Sequence, residues 1–285
     1  MKNTIIIGGG ISGLACGYFA RKPYQIFEKE NAPGGLCRSV RFGGFTFDNA
    51  GHFIHARDPQ NIALLKNLLG KNLAKVNRKA WIYAYSSHIP FPFQSNLFAL
   101  PPKIRQECLK EFLNKKYEPD SDKNFLRWSL STYGKGITRH FMQPYNEKLW
   151  TVKADSLMTD WVAPFVPNPK PEEIIYGAKK FNRSNIGYNA HFYYPRKGGC
   201  SALISAFADK VKNINFNISA QKVDYKRRIL HTSDGKQRRY TNLISTQPLP
   251  ELLNQIHNLP VNVKNAFSKL AWNSVLCLNI SVKIK

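Results

Sequence analysis

Apolar residues along this chain fall into short blocks with two different periods. Thr4-Ile5-Ile6-Ile7 is a continuous apolar run, the pattern of a strand buried on both faces. Leu14 to Arg21 then suits a helix, and Tyr24-Gln25-Ile26-Phe27 a second strand. Val40 to Asp48 alternates around Gly43-Gly44, as a hairpin does. Pro59 to Leu69 predicts a helix with Ile62, Leu65 and Leu69 on one face, closed by Gly70. Ala80 to Tyr85 reads as an aromatic-rich strand. In Ile89 to Leu97, Pro90 and Pro92 remove two backbone donors, so this stretch is extended without being a central strand. Pro101-Pro102 opens a helix through Lys116, and another runs from Asn124 to Thr132. Ile137, Phe141, Tyr145 and Leu149 recur every four residues, a helical face bent or broken at Pro144. Ser201 to Lys210 predicts a helix, and Ile214 to Thr246 strands with tight turns, the clearest being Ser233-Asp234-Gly235-Lys236. Ala271 to Ile284 alternates at Val275, Cys277, Asn279 and Ser281 and reads as a strand.

Composition narrows the class. With 285 residues and 43% hydrophobic content, the chain can bury one large or two modest cores. No run approaches the roughly 18 apolar residues of a membrane span. The N-terminus enters a strand directly, without a signal peptide. Five scattered cysteines with no C-x-x-C pair predict reduced thiols in a cytoplasmic protein and no metal site. The formal charge of +24 is spread along the chain. Its densest cluster, Lys226-Arg227-Arg228 with Arg238-Arg239, reads as a solvated hairpin face; no module for specific nucleic-acid binding accompanies it.

Candidate chemistry begins where the first strand ends. Gly8, Gly10 and Gly13 stand at G-x-G-x-x-G spacing between strand and helix, with Ser12 in the loop. Gly8 permits the tight turn, Gly10 lets a pyrophosphate approach the backbone, and Gly13 lets helix and sheet pack closely. Glu28 ends the second strand 20 residues after Gly8, where an acidic side chain takes ribose hydroxyls. Together these predict a dinucleotide-binding unit.

Gly34-Gly35 followed by Arg38 resembles the second fingerprint of FAD-dependent flavoproteins related to the amine oxidases. That resemblance puts the glycine pair against the cofactor and brings Arg38 towards its phosphates. With Gly51-His52-Phe53-Ile54-His55 it narrows, and the chain resembles the UDP-galactopyranose mutase family. Three further stretches are similar to that family: Phe91-Pro92-Phe93-Gln94-Ser95-Asn96, Phe141-Met142-Gln143-Pro144-Tyr145-Asn146 through Trp150, and Asn189-Ala190-His191-Phe192 with Pro195 to Gly199. The resemblance places His52 beside the flavin and Phe91, Gln94, Asn146, Trp150 and Asn189 around the substrate. Two positions depart from it. Phe91 replaces a tyrosine, and Phe165 stands where the mutases carry an arginine for the diphosphate, which Phe cannot pair.

The resemblance implies an α/β fold: a Rossmann-like, doubly wound FAD-binding domain of the GR2 flavoprotein type with an inserted helical and mixed-sheet substrate domain. It predicts a first FAD-binding segment at 1–58, the substrate domain at 59–185, and strands returning to the FAD domain at 186–285. It reaches only a little over half of a typical family member, so the C-terminal part of the fold is expected to be absent. The implied cofactor is FAD, the implied partners a nucleotide-sugar and a reductant for the flavin. The implied reaction is ring contraction of a UDP-sugar without net redox, in which the reduced flavin acts as nucleophile and UDP leaves. A redox flavoenzyme of the amine oxidase or protoporphyrinogen oxidase type is the alternative, and an inactive, truncated remnant the third reading.

Overall fold

The computed structural model describes residues 3–115, 123–181 and 191–282. Strand β1 (Thr4–Ile7) leads into helix α1 (Ile11–Phe19) and back to β2 (Tyr24–Phe27), the two strands parallel and in register from Thr4 opposite Tyr24. The expected hairpin follows as β3 (Ser39–Phe42) and β4 (Phe45–Asp48), turning at Gly43-Gly44. Helix α2 (Pro59–Leu69) has the bounds its pattern predicts. Asp58 caps it by accepting from the Gln60 N–H, Pro59 fills the first turn, and Gly70 ends it with φ +51°. Strand β5 (Leu73–Asn77) comes next.

A hairpin of β6 (Trp81–Ala84) and β7 (Ser87–Pro90) opens the second half of the path, with Pro90 at the end of a two-stranded pair. Helix α3 (Pro102–Leu113) stops three residues before Lys116, and α4 (Phe125–Ile137) starts on an Asn124 cap. The break expected after Thr132 falls inside α4 at Gly134, whose non-helical backbone with φ of +76° kinks the helix and lets α4 press on α3. A Cβ there would lie 2.3 Å from the Glu111 carbonyl oxygen. The bend foreseen at Pro144 lies just before it: Thr138 to Met142 form a π turn, and α5 (Gln143–Trp150) carries Pro144 in its first turn, where a missing N–H breaks no helical bond. Short α6 (Val162–Phe165) and α7 (Pro171–Lys179) follow.

Strand β8 (His191–Pro195) and helix α8 (Ser201–Ala208) precede a run of strands: β9 (Ile214–Asn215), β10 (Ala220–Asp224), β11 (Ile229–Thr232), β12 (Gln237–Arg239) and β13 (Asn242–Ser245). Two helices, α9 (Leu249–Gln255) and α10 (Val261–Phe267), follow. Residues 271–282 carry no regular structure, which corrects the expected strand. The alternation is there, with Leu276, Leu278, Ile280 and Val282 all exposed. A strand also needs a neighbour for its N–H and C=O groups, and no strand pairs with this stretch among the described residues.

The chain divides into two compact units, Met1–Val76 with Tyr193–Lys285, and Asn77–Phe192. The first unit therefore runs beyond residue 58, because α2 buries Leu65 and Leu69 in its core. That core is built on a parallel sheet of order β13-β1-β2-β9. Period-two alternation explains the apolar run. Ile6 and Ile26 face a layer with Leu14 of α1 and Leu203, Ile204 and Phe207 of α8; Ile5, Ile7 and Phe27 face Val223 and Leu230. The second layer is the antiparallel meander β10-β11-β12, so helices cover one face and strands the other. This is the expected α/β, Rossmann-like unit, assembled from discontinuous segments around a parallel sheet. The basic hairpin is also less solvated than its sequence suggests: the Arg238 guanidinium holds Asp234 at 2.7 Å and lies 4.6 Å from the Phe27 ring centre.

The second unit packs around Phe93, Leu97, Cys108, Tyr133, Ile137 and Ile174. Among the described residues, no helix is long and apolar enough to cross a membrane. A Cβ on Gly177 of α7 would lie 2.0 Å from the Ser95 carbonyl oxygen. Gly177→Ala is expected to destabilise the chain by about 1–3 kcal/mol, read as a lowered midpoint in urea unfolding.

Candidate functional site

The loop between β1 and α1 is shaped by close backbone contacts. Gly8 turns the chain with φ +102°, and a Cβ on it would stand 2.5 Å from Thr246 Oγ1. The Thr246 hydroxyl donates to the Ile7 carbonyl at 2.9 Å and so fixes the end of β13 against the end of β1. A Cβ on Gly13 would lie 1.9 Å from the Gly8 carbonyl oxygen, so the helix can approach the strand only without a side chain there. Gly10 differs. Its backbone is extended, and an added Cβ would meet only the Gly35 Cα, at 4.0 Å. Among the described residues, nothing demands a glycine at that point, and the backbone there is open to close approach. Gly10 is the N-cap of α1 and offers no capping side chain, and exposed Ser12 sits in the first turn. No acidic residue lies in that turn, so the positive end of the helix dipole is left for an anion.

Glu28 reaches this loop. Its Oε2 accepts from the Gly9 N–H at 2.6 Å and its Oε1 from the Glu30 N–H at 2.9 Å, with the residue 6% exposed. The second glycine pair meets the same loop. The Gly34 N–H donates to the Gly9 carbonyl at 2.9 Å, and Gly10 and Gly34 form a parallel bridge. Gly34 and Gly35 both have positive φ, +127° and +54°. Arg38 is tied to its own loop: its guanidinium donates to the carbonyls of Ala32 and Pro33, and Glu30 stands 3.9 Å away. Held so, Arg38 braces the second glycine turn.

One organiser was not foreseen. Asp48, at the end of β4, accepts from Ser39 Oγ (2.6 Å), from the Cys200 N–H (3.0 Å) and from the Tyr194 hydroxyl. Burial and the Asp48 carboxylate push the Tyr194 phenol far up, so it stays a proton donor. Nothing in the hairpin pattern marks Asp48 as a hub, because two of these partners, Tyr194 and Cys200, lie about 150 residues further along. His52 Nδ1 lies 2.7 Å from the Ala50 carbonyl oxygen, a contact within its own loop.

The substrate candidates belong to the second unit and occupy unlike positions. Phe91 is half-buried, with the Arg78 guanidinium 5.4 Å above its ring. Gln94 is buried, and its amide donates to the Pro167 carbonyl at 2.5 Å, an acceptor it shares with the Tyr133 hydroxyl. Asn146 is buried and donates to the Met142 carbonyl at 2.7 Å, a contact one turn back along its own helix. Trp150 is 41% exposed and packs on Trp161, which stacks on Phe125. Phe165 is exposed. Asn189 lies outside the described residues. Gln94 and Asn146 thus hold the chain's own carbonyls, while Phe91 and Trp150 present surface. Arg78 is a cation beside Phe91 that sequence reasoning passed over; no spacing motif marks it. Among the described residues, no group of His, Cys, Asp and Glu is arranged to hold a metal.

Residues 6–68 match the family described as NAD(P)-binding Rossmann-like domain. A 51-residue stretch is 45% identical to the 1-hydroxycarotenoid 3,4-desaturase of Flavobacterium sp. (strain P99-3), covering 17% of this chain and 10% of that protein. The structure superposes on reduced UDP-galactopyranose mutase with a TM-score of 0.84 and 28% identity, over 94% of this chain and 60% of the mutase chain. It superposes on a protoporphyrinogen oxidase homologue from Exiguobacterium sp. 255-15 with a TM-score of 0.69 and 16% identity, over 94% and 63% of the two chains. Putrescine oxidase bound to putrescine gives a TM-score of 0.60 at 15% identity over the same shares. At those identities the two oxidases show a shared fold. The chain spans about 60% of the length of the mutase it matches.

The loop contacts separate two glycines that look alike in sequence. Gly13→Ala is expected to lower the thermal midpoint by several degrees, since the new Cβ would collide with the Gly8 carbonyl. Gly10→Ala is expected to leave that midpoint within about one degree of the parent. Circular-dichroism melting of both variants reads the difference.

Proposed function

We propose, for a chain whose first unit is a Rossmann-like FAD-binding domain of the kind shared by UDP-galactopyranose mutase and the amine-oxidase-type flavoproteins, that it serves a cytoplasmic flavin-dependent enzyme acting on a nucleotide-sugar. The reading supported best is mutase-like interconversion of a UDP-sugar's ring forms, without net redox. The observation that carries it is the likeness to the mutase across 94% of this chain, at an identity and TM-score well above those of the oxidases.

The residues present fit a dinucleotide. Space is kept open over Gly10, a second glycine turn abuts it, and a carboxylate stands at the loop. In this proposal the N–H groups at the start of α1, with Ser12, hold the pyrophosphate. Glu28 takes the ribose hydroxyls, and Gly35 lets the cofactor lie against the backbone. Arg38 positions that second turn and adds positive charge near it. FAD, when bound, supplies the flavin ring on which the sugar or redox chemistry depends. His52 is assigned to the flavin's neighbourhood. Phe91, Trp150 and Asn189 are assigned to the nucleotide-sugar, with Gln94 and Asn146 shaping the walls from their backbone-bonded positions. Arg78 offers a cation for the diphosphate that Phe165 cannot pair. The chain's share of the work is to orient the substrate and to stabilise the leaving phosphate charge.

Phe165 favours a second reading, in which the substrate carries no diphosphate and the enzyme is a redox flavoenzyme. One experiment separates the two. The purified chain is loaded with FAD, reduced with dithionite, and offered UDP-galactopyranose, with products resolved by chromatography. Conversion to the furanose form is expected. Oxygen uptake with amines or porphyrinogens and no sugar product would move the assignment to the oxidases. A chain that shows no oxidised-flavin absorption even in excess FAD would sink both. Gly10→Ala is expected to weaken FAD at least about tenfold, some 1.4 kcal/mol, at unchanged folding stability, measured by fluorescence titration.

A further inference from the structure

Cys37 closes the one-turn segment Gly35–Cys37 directly after the second glycine pair, and Cys200 immediately precedes α8. These segments are stitched to each other. The Ser39 N–H donates to Ser201 Oγ at 2.7 Å, and the Ser201 N–H donates back to Ser39 Oγ at 3.0 Å. Asp48 Oδ1 accepts from both sides, from Ser39 Oγ and from the Cys200 N–H. A Cβ on Gly199 would stand 2.4 Å from Ser39 Oγ, so the backbones are as close as they can come. In this frame Cys37 and Cys200 are neighbours, close enough for each thiol to set the other's proton affinity, and both are unbridged.

The two thiols are not equivalent. Cys200 is 2% exposed, whereas Cys37 is half-buried beside an exposed Leu36. The neighbouring Cys200 thiol, helped by His52 and opposed by burial and by Asp48, brings the Cys37 thiol down to about 6. The Cys37 sulfur and its charge, burial and Asp48 push Cys200 far up. A reachable sulfur that ionises readily, facing a buried thiol that keeps its proton, is the arrangement of an attacking and a resolving cysteine.

We propose that Cys37 and Cys200 are a thiol–disulfide couple, in which Cys37 is the site modified by a small-molecule disulfide such as oxidised glutathione and Cys200 resolves the adduct into an internal bridge. The Cys37 thiolate attacks one glutathione sulfur. The glutathione S–S bond breaks, a Cys37–glutathione disulfide forms, and one glutathione leaves and takes up a proton. Cys200 then loses its proton and attacks the Cys37 sulfur, which breaks the mixed disulfide and releases the second glutathione. Two protein thiols are oxidised and one glutathione disulfide is reduced, with no other reagent. The bridge would join the Gly34-Gly35 turn covalently to α8, where Gly34 already faces Ile204 and bonds to Gly9. The inference stands on the first unit's geometry and holds whatever that unit binds.

The test treats the full chain with oxidised glutathione at neutral pH, quenches with acid, alkylates the remaining thiols and maps peptides by mass spectrometry. A cross-linked peptide pair containing Cys37 and Cys200 is expected. Cys200→Ser should accumulate the glutathione adduct on Cys37 at least about tenfold over the parent, because the resolving sulfur is gone. In the untreated parent, the rate of Cys37 alkylation should rise with pH to a midpoint near 6. Adducts confined to exposed Cys277, with Cys37 and Cys200 both recovered alkylated, would overturn the proposal. So would an alkylation midpoint at or above the ordinary thiol value of about 8.5. The parent mapping and pH profile need no substitution, so neither depends on a variant folding.

Discussion

The first unit depends on one close approach, the end of β13 against the end of β1. Thr246 donates its hydroxyl to Ile7 and fills the space beside Gly8, while Gly13 brings α1 onto the Gly8 carbonyl. Three backbone segments therefore converge where a single methyl group would not fit. The sheet register, the tilt of α1 and the reach of Glu28 to Gly9 all follow from that convergence. It also explains why a dinucleotide loop is legible at all. Gly8 and Gly13 are held by close contacts within the fold while Gly10 is open, and only the added-Cβ contacts tell them apart.

Local signals carried far in this chain. The Ile run, the turn at Gly43-Gly44, the α2 start at Pro59 and stop at Gly70 and the turn at Asp234-Gly235 each involve neighbours within about ten residues, and each stands where its pattern predicted. What stayed hidden depends on distant partners. The meander over Ile5 and Ile7, the hub at Asp48 and the Cys37–Cys200 contact join residues more than 100 positions apart. The segment 271–282 shows the converse. Its alternation is sound, yet pairing is a property of two strands, and a pattern in one strand cannot supply the other.

The candidate site divides in the same way. On the cofactor side, residue type and spacing carry the chemistry, because backbone N–H groups and a glycine gap recognise phosphate without help from side-chain packing. On the substrate side the resemblance supplied names of positions, and the structure gives two of them, Gln94 and Asn146, bonds to their own backbone neighbourhood. A buried amide that satisfies a carbonyl shapes a wall even where it never meets a ligand.

The discontinuous build of the first unit has a consequence for how the chain is made. Ile7 emerges from the ribosome early, while its partner Thr246 lies 239 residues later. At about 5–20 residues per second, the β1 edge and its apolar faces wait roughly 12–50 s for β13, with the whole second unit synthesised in between. The second unit, contiguous from Asn77 to Phe192, can condense during that wait. The β1–α1 loop, first in the sequence, is thus among the last parts to be completed, and a nascent chain lacks the Thr246 contact to Ile7 and Gly8 until the polypeptide has passed that residue.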